Sequence, residues 1–428
     1  MPPTTPLLRR ARARGRLRSR PLVASDSARR TRPRKSPPEE PATALPDDML
    51  LEVFKRLPPP TDTIRCTAVC RRWRRIVSSG ARAGCLPTPR RHFGFFRNYS
   101  PSPLPPFVAT ESGVGLDVGG LLPRVVSKRG VDIVDGRGGL LVLRERSKKF
   151  WELNLVLCSP LERSYWRLPA ANVSGYVMAC AAFVPLQGAG FRVAVVLFGS
   201  AEDLWHRYAV LVYDSASASS AWKVTTGSRQ CGERQYNAHE GPSVVVGEVL
   251  YSLQDEHIMV VDTTKMTMSV LPEPVDRPDW LMNGNHWIGK TEDACLCFFA
   301  FHDYTSLLVE RWALGADSKW ARQQPFWLPR DLHGVKLTTT IGEISSFKYA
   351  SFAGFCEGSR MLFFVMHDWV VSFDIETLEM ERLWCCNTDE PQRLGGLSQV
   401  YPYEMVAWPP VLKDFDRPLS LHCPIKCK

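Results

Sequence analysis

The sequence predicts two folded parts, a small all-α module near the N-terminus and a much larger all-β domain after it. Three observations support this. A helical apolar period occurs at 45–79, short strand-like runs fill 107–428, and an Arg-rich segment at 1–44 lacks any apolar period. The 428 residues exceed the usual size of a single-core domain, and the 44% hydrophobic content is typical of a folded protein.

The net charge of +10 is concentrated in residues 1–44, which contain eleven Arg and one Lys against three acidic residues. We expect this segment to be a disordered basic tail. It is a solvated extension, a nuclear-import or polyanion-binding patch around 29–35, or an organelle transit peptide. Its prolines argue against the helix that a transit peptide needs. The remaining chain is almost neutral, with 42 basic and 41 acidic residues, which argues against nucleic acid as the partner.

Residues 45–79 are interpreted as three helices. Pro46 suits a first helical turn, and the acidic pair that follows complements the positive end of the helix dipole. The apolar residues of this helix recur at i, i+3, i+4 and i+7 and are predicted to share one stripe: Leu50, Val53, Phe54 and Leu57. The proline run at 58–60 then ends the helix.

The second helix is predicted to be capped by Thr61 or Asp62. The third segment places its apolar residues on one arc, opposite the arginines at 71, 72, 74 and 75; the arc comprises Val69, Cys70, Trp73, Ile76 and Val77. About 35 residues cannot close a core over so many large side chains. The module is therefore expected to need a partner, or to pack as an ordinary helical hairpin on its own downstream domain.

The pattern Leu45-Pro46, then Val53 and Leu57, then Val69-Cys70-x-x-Trp73 resembles the F-box. This resemblance covers 35 residues and implies a three-helix motif that binds a Skp-type adaptor and, through it, a cullin. The candidate adaptor-binding residues are Leu45, Pro46, Leu50, Val53, Phe54, Leu57, Val69, Cys70 and Trp73. The sequence departs from the pattern at Asp62-Thr63, where many F-boxes carry a second apolar pair, and this departure could weaken the adaptor contact.

Residues 80–106 are interpreted as a stiff Pro-rich connector. An apolar island interrupts it at Phe93–Phe96 and is predicted to be a first strand or a plug against the next domain.

From residue 107 the predicted strands recur with turns between them: Gly139–Leu143, Leu153–Cys158, Phe191–Phe198, Tyr208–Tyr213, Val244–Leu253, Ile258–Val261, Leu296–Phe301, Leu362–Met366 and Val370–Phe373. A loose repeat places an apolar strand before a polar turn and a closing Trp or Leu-Pro. Its equivalent positions are Cys158, Asp214, Asp262, Leu314 and Asp374. Their spacing is close to the roughly 50 residues of a kelch-type blade. The repeat predicts a β-propeller of about six blades, with a pair of β-sandwiches as the alternative. The region also resembles the F-box-associated domains of plant F-box proteins.

No motif for catalysis, a cofactor or a metal stands out. The chain lacks a Gly-rich phosphate loop, a G-x-S-x-G elbow and H-E-x-x-H, and its thirteen cysteines are scattered without paired C-x-x-C spacing. The apolar stretch Val177–Gly199 is interrupted by Pro, Arg and a Gly turn, which favours two buried strands over a membrane span. No secretory signal is visible. We therefore expect no catalytic residues, cofactor, metal or membrane.

These observations predict a non-catalytic substrate receptor of an SCF-type ubiquitin ligase in the nucleus, the cytoplasm or both. The helical module would bind the adaptor, and the β domain would capture an unidentified target protein. Polar loops at Thr225–Gly241 and Arg277–His286 are candidates for target recognition. The alternatives are a propeller enzyme and a nuclear binding protein, each with an F-box-like helical leader.

Overall fold

The computed structural model describes residues 45–57, 60–86, 91–98, 104–110, 122, 130–186, 190–199, 207–219, 221–228, 243–254, 257–274, 286–302, 307–329, 331–332, 335–336, 350–366, 369–385 and 399–405. By its internal contacts the chain divides into two units, residues 1–45 and 46–428. The basic tail predicted at 1–44 lies outside the described residues.

The first part of the second unit contains three helices, α1 (Asp47–Lys55), α2 (Pro60–Val69) and α3 (Arg71–Arg82). The prediction that Thr61 or Asp62 caps α2 is wrong, because α2 already begins at Pro60, whose missing N–H suits a first helical position. Cys70 has extended backbone and caps α3, with its Sγ accepting a hydrogen bond from Trp73 N at 3.4 Å. The predicted single arc through Val69, Cys70 and Trp73 is therefore interrupted between two helices.

The remaining elements are all strands. The first group comprises β1 (Arg91–Phe96), β2 (Phe107–Ala109), β3 (Val131–Arg137), β4 (Leu140–Glu145), β5 (Glu152–Leu153), β6 (Leu155–Ser159), β7 (Ser164–Arg167), β8 (Ala171–Asn172), β9 (Tyr176–Pro185), β10 (Phe191–Gly199), β11 (Arg207–Asp214) and β12 (Lys223–Ser228). The second comprises β13 (Ser243–Val246), β14 (Val249–Gln254), β15 (His257–Asp262), β16 (Thr267–Pro272), β17 (His286–Lys290), β18 (Leu296–Phe301), β19 (Leu308–Leu314), β20 (Trp320–Trp327), β21 (Asp331–Leu332), β22 (Val335–Lys336), β23 (Ala350–Cys356), β24 (Met361–Met366), β25 (Trp369–Asp374), β26 (Met380–Cys385) and β27 (Tyr401–Met405).

These strands form six antiparallel blades around one axis. Blades 1 to 5 are β3-β4-β6-β7, β9 to β12, β13 to β16, β17 to β20 and β23 to β26, and blade 6 is β27-β1-β2. The inner strands contact one another in the order β3, β9, β13, β17, β23 and β27, and β27 contacts β3 again. The ring is therefore closed. The predicted fold class, three helices followed by a six-bladed β-propeller, is confirmed.

Blade 6 closes the ring by joining distant parts of the chain. Its inner strand β27 pairs with β1, in a register that sets Gly94 against Tyr403 and Phe96 against Tyr401. Gly94 has a positive φ at a bulge in β1, and a Cβ there would overlap the carbonyl oxygen of Val108. The apolar island at 93–96 is thus a propeller strand. The range 80–106 assigned to a connector therefore includes the end of α3 and this strand.

The sequence repeat corresponds to the blades. Asp214, Asp262 and Asp374 each end the third strand of a blade, and their Oδ1 atoms accept backbone N–H bonds of 2.8–3.1 Å within the following turn. Trp222 of blade 2 donates to Pro169 O at 2.7 Å, and Trp320 of blade 4 donates to Pro272 O at 2.9 Å. The closing Trp residues thus tie each of these blades to the preceding one.

Two long apolar runs are each divided into two strands. Val244–Leu253, predicted as one strand, forms β13 and β14 around a turn at Gly247, where φ is +60°. The run Val177–Gly199 forms β9 and β10, as the sequence predicts. Among the described residues, no helix has the length and apolar character needed to cross a membrane.

Several cysteines of the blades are buried thiols within strands. Cys158, Cys180 and Cys356 are nearly or completely inaccessible to solvent. Burial raises the pKa of each thiol, that of Cys180 to about 12. These side chains are therefore protonated at neutral pH and pack as small apolar groups.

Candidate functional site

The apolar residues of α1 lie on two sides of the helix. Leu50 and Phe54 are buried, with Phe54 only 2% exposed, whereas Val53 is 47% exposed and Leu57 is partly buried. The four residues predicted to share one stripe therefore do not form one surface. A four-residue spacing aligns Leu50 with Phe54 on the covered side and Met49 with Val53 on the open side.

The junction between α2 and α3 also separates the predicted residues. Val69, the last residue of α2, is 63% exposed, and Cys70 is exposed beside it. Trp73 is partly buried, and its ring packs edge-on against Phe54 with 5.2 Å between the ring centroids. Trp73 therefore contributes to the packing of the helical module, whereas Val69 is open to solvent.

A salt-bridge cluster joins the first turns of α1 and α3. The carboxylate of Asp47 accepts bonds from Arg72 Nε at 2.8 Å and from Arg75 Nη2 at 3.1 Å. The hydrogen bond from Arg72, aided by Arg75, lowers the pKa of Asp47. Because Val69 and Cys70 immediately precede α3, they lie at the same end of the module as the first turn of α1.

The covered side of the helices packs on the propeller. One continuous apolar cluster contains Leu50, Phe54, Ile64, Ile76, Val77, Ala81 and Leu86 from the helical region, and Phe93, Phe96, Val131, Ile133, Tyr401 and Tyr403 from blades 1 and 6. Ser78 Oγ donates a 2.6 Å hydrogen bond to Glu162 Oε1, in the turn between β6 and β7. The alternative in which the helices pack on their own downstream domain thus describes this side of the module.

The open side keeps three large apolar side chains in water. This exposed apolar set consists of Met49, Val53 and Val69, each between 47% and 63% exposed. Val53 and Val69 belong to the predicted adaptor-binding residues, and so does Leu45, which is 44% exposed. Met49 was missed, although its four-residue spacing from Val53 was a visible signal. Pro46 is also exposed, as the N-cap of α1. Surface of this kind is stabilised when a partner covers it.

A second candidate site lies on the propeller axis. An axial cavity of about 1020 Å³ opens where the inner strands end, and its lining includes Arg137, Pro185, Lys290 and Cys356, the last residues of β3, β9, β17 and β23. The inner strands begin at the opposite face. Most residues of the candidate loops Thr225–Gly241 and Arg277–His286 lie outside the described part of the chain, and their described ends, in β12 and at the start of β17, do not line the cavity.

The guanidinium of Arg137 links three blades across the axis. It bonds to Asp135 Oδ2 at 2.8 Å in its own blade, to the carbonyl and hydroxyl oxygens of Ser243 at 2.9 and 3.0 Å in blade 3, and to Glu357 in blade 5. Lys290 Nζ of blade 4 contacts the other oxygen of Glu357 at 3.1 Å. Side chains far apart in sequence thus form one ionic network inside the ring.

Blade 2 joins the same network, and blade 6 bonds to the turn that follows Glu357. Phe183 N donates to Asp135 Oδ2 at 2.7 Å, and Glu404 accepts from Gly358 N at 2.7 Å and Ser359 N at 2.9 Å. Burial raises the pKa of Asp135 and of Glu404. Burial also opposes the charge of Arg137, but the nearby Asp135 and Glu357 outweigh it and raise the pKa of the guanidinium. Arg137 is therefore a fixed buried cation.

No group of three or more His, Cys, Asp or Glu side chains in the described part of the chain is placed to hold a metal ion.

Comparison with known proteins identifies the helical module. Residues 42–82 match the family described as F-box-like. The matched range includes α1, α2 and α3 and extends slightly beyond the 45–79 predicted from the sequence. The chain thus carries an F-box-like domain followed by a six-bladed propeller. No curated protein matches the chain.

Solved structures resemble the chain only distantly. A chain in the crystal structure of the Mitotic Checkpoint Complex is 12% identical, with 58% of this chain and 62% of that one covered and a TM-score of 0.32. The WD40 domain of SCAP from fission yeast is 8% identical, with 60% and 66% covered and a TM-score of 0.31. An exo-β-1,3-galactanase from Phanerochaete chrysosporium is 8% identical, with 59% and 62% covered and a TM-score of 0.32. In each case this chain spans less than two thirds of the other chain's length.

Proposed function

We propose that this protein is the substrate-recognition subunit of an SCF-type ubiquitin ligase. The F-box-like domain would bind a Skp-type adaptor, which connects it to a cullin, and the propeller would hold a target protein. An F-box-like domain joined to a β-propeller fits such a subunit in general. Catalysis would then be proximity, because the assembled ligase holds a target lysine near the charged ubiquitin carrier.

The observation that carries this proposal is the exposure of the apolar set on the F-box-like domain. The chain's own propeller already covers the opposite side of the helices, with Leu50 and Phe54 buried. Met49, Val53 and Val69 remain exposed after that packing. An adaptor with an apolar groove would remove these side chains from water, and such burial is the main favourable contribution to association.

The predicted adaptor-binding residues have different proposed roles, depending on which side of the helices they lie. We infer that Leu45, Met49, Val53 and Val69 touch the adaptor directly, with Pro46, Cys70 and Leu57 beside them. Leu50, Phe54 and Trp73 would act mainly by holding the helices in place, because they are buried or pack on one another. Substitution of these three residues would therefore reduce adaptor binding through loss of structure.

Capture of a purified Skp-type adaptor tests the proposal. Val53→Asp and Val69→Asp each place a charge in the proposed contact, and each is expected to weaken capture by ~2–4 kcal/mol. Val224→Asp is the matched control, because Val224 is 58% exposed on β12, the outer strand of blade 2. Undiminished capture by both F-box variants, or an equal loss in the control, would contradict the proposal.

A further inference from the structure

We infer that the axial cavity binds a basic polypeptide segment and recognises its Lys or Arg side chains; that this segment belongs to a ligase target rests on the proposed function. The inference depends on the cavity's size, on its excess of carboxylates and on the aromatic side chains in its wall.

The cavity can admit a stretch of polypeptide. Its volume of about 1020 Å³ is at the upper end of the ~300–1,000 Å³ typical of small-molecule sites. Gly138 and Gly247 lie in the lining with positive φ, and a Cβ at either position would meet nothing within 4 Å. Turns without side chains leave the entrance open and allow another backbone to approach closely.

Among the residues that the structure describes, acidic groups outnumber basic ones in the cavity lining. The cations of this part of the lining are Arg137, Lys290 and Arg360, and each already contacts at least one carboxylate. The lining carboxylates are Asp135, Glu248, Glu292, Glu357, Asp374, Glu376 and Glu404. If the two buried acids with raised pKa values, Asp135 and Glu404, are counted as neutral, five carboxylates still face three cations. The neighbouring Arg192 and Asp214 lie outside the lining and add one positive and one negative charge, so they leave the excess of carboxylates unchanged.

The excess negative charge is accessible at the rim. Glu248 in blade 3, Glu292 in blade 4 and Glu376 in blade 5 are about half exposed or more. Hydrogen bonds from Thr264 and Arg192 lower the pKa of Glu248, so it is ionised at neutral pH. Glu248 is paired with Arg192, whereas Glu292 and Glu376 share Arg360 among the described residues. An incoming ammonium or guanidinium group would therefore meet the pair Glu292 and Glu376, whose two negative charges share this arginine.

The wall suits long basic side chains rather than small cations. Trp287 and Phe355 line the cavity alongside the charged groups. The methylene stems of Lys and Arg pack on such surfaces, and their cationic ends are attracted to aromatic faces. An anionic ligand fits less well, because the cations of the lining are already engaged with carboxylates.

Fluorescence anisotropy of the full chain with a labelled peptide tests this site. The probe alternates glycine with three basic residues, and a second peptide replaces those residues with glutamate. We expect the basic probe to bind, its affinity to fall as salt rises, and the acidic probe not to bind. Equal binding of the two probes, or no binding of the basic probe at low salt, would overturn the inference. Undiminished binding of a peptide in which the three basic residues are replaced with glycine would likewise overturn recognition of basic side chains.

Paired substitutions locate the binding. Glu292→Gln with Glu376→Gln removes two rim carboxylates and should weaken the basic probe about tenfold or more. Asp293→Asn with Asp317→Asn is the matched control, because both residues are exposed, end-of-strand turn positions in blade 4 and neither lines the cavity. An equal loss in both double variants would show general charge attraction and overturn the inference.

Adaptor capture by the same preparations separates this inference from the proposed function. Both double variants are expected to retain adaptor binding, since their substitutions lie on the propeller. A wild-type protein that binds the basic probe in the cavity but no adaptor would contradict the proposed function and leave the cavity site supported. One that binds the adaptor but no basic probe would contradict only the cavity inference.

Discussion

The hydroxyl group of Ser78 in α3 donates a 2.6 Å hydrogen bond to the carboxylate of Glu162, in a blade 1 turn of the propeller. Around this bond, the covered sides of the helices and the strands of blades 1 and 6 share one apolar cluster. The F-box-like domain is therefore packed directly on the propeller. The turn that holds Glu162 follows β6, and the cavity is lined by the last residue of the inner strand β3. β3 and β6 run in the same direction and end at the same face of the propeller, so the turn and the mouth of the cavity lie on that face.

Phe54→Ala is predicted to destabilise the whole protein. Phe54 is 2% exposed and packs against Trp73, so truncation leaves a cavity in the shared cluster. We expect the free energy of unfolding to fall by ~3–5 kcal/mol, measured by denaturant titration. Val53→Ala, on the exposed side of the same helix, should change it by no more than about 0.5 kcal/mol. Equal effects of the two substitutions would show that the two sides of α1 are wrongly assigned.

The isolated helical region, residues 45–86, is predicted not to fold alone. Its buried residues Ile64, Ile76 and Val77 belong to a cluster completed by strands of blades 1 and 6. A chain of about 40 residues rarely buries enough surface to be stable without such help. Circular dichroism of the fragment should show no cooperative thermal transition. A sharp transition would mean that the propeller is dispensable for the helices.

Acid is predicted to destabilise the protein partly through His92 in β1. Burial lowers the pKa of His92 to about 4, with a smaller opposing effect from the backbone of Gly94. In the unfolded chain the pKa is near 6.5, so the unfolded state binds the proton first as pH falls. The neutral ring therefore contributes fully to stability above pH ~6.5. As the pH falls towards ~4 this contribution is lost, which lowers the free energy of unfolding by roughly 3 kcal/mol.

His92→Phe should remove that part of the acid dependence. The measurement is the difference in unfolding free energy between wild type and variant at several pH values from 7 to 4. The same series for His302→Gln serves as the control, since His302 is exposed. A wild-type-minus-variant difference that is constant across this range would contradict the predicted coupling.

The axial network predicts a larger effect for Arg137→Met. This substitution leaves the buried Asp135 without its cation, whereas Glu357 keeps the contact with Lys290. Loss of one partner from a buried ion pair costs ~3–5 kcal/mol. Burial already raises the pKa of Asp135, and without the cation this carboxyl would bind its proton still more tightly when folded than when unfolded, so the loss should be larger at pH 8 than at pH 5. Arg322→Met, at an exposed ion pair, should cost no more than about 1 kcal/mol.

Much of the fold could be predicted because its signals are local. Strand periods and turn residues recur blade by blade, and Asp214, Asp262 and Asp374 form the same turn in three blades. The closure of the ring had no such signal, because β1 and β27 are separated by most of the chain. The sequence predicted that Phe93–Phe96 is a strand or a plug, but it could not show with which strand this segment would pair.

The candidate sites were predictable to different degrees. The F-box pattern identified the helices, and helical spacing placed Leu50 near Val53, but spacing alone cannot show that the propeller covers one and leaves the other exposed. The axial network was not predictable at all. Arg137 and Glu357 are 220 residues apart, and only the circular arrangement of blades brings them together.

Hydrogen–deuterium exchange of the full chain, with and without a purified Skp-type adaptor, would show whether the helices bind the adaptor. We expect new protection in peptides covering residues 45–57 and 60–77, and little change in the strands of blades 2 to 5. Protection confined to the propeller, or no change on the helices at saturating adaptor, would contradict this expectation.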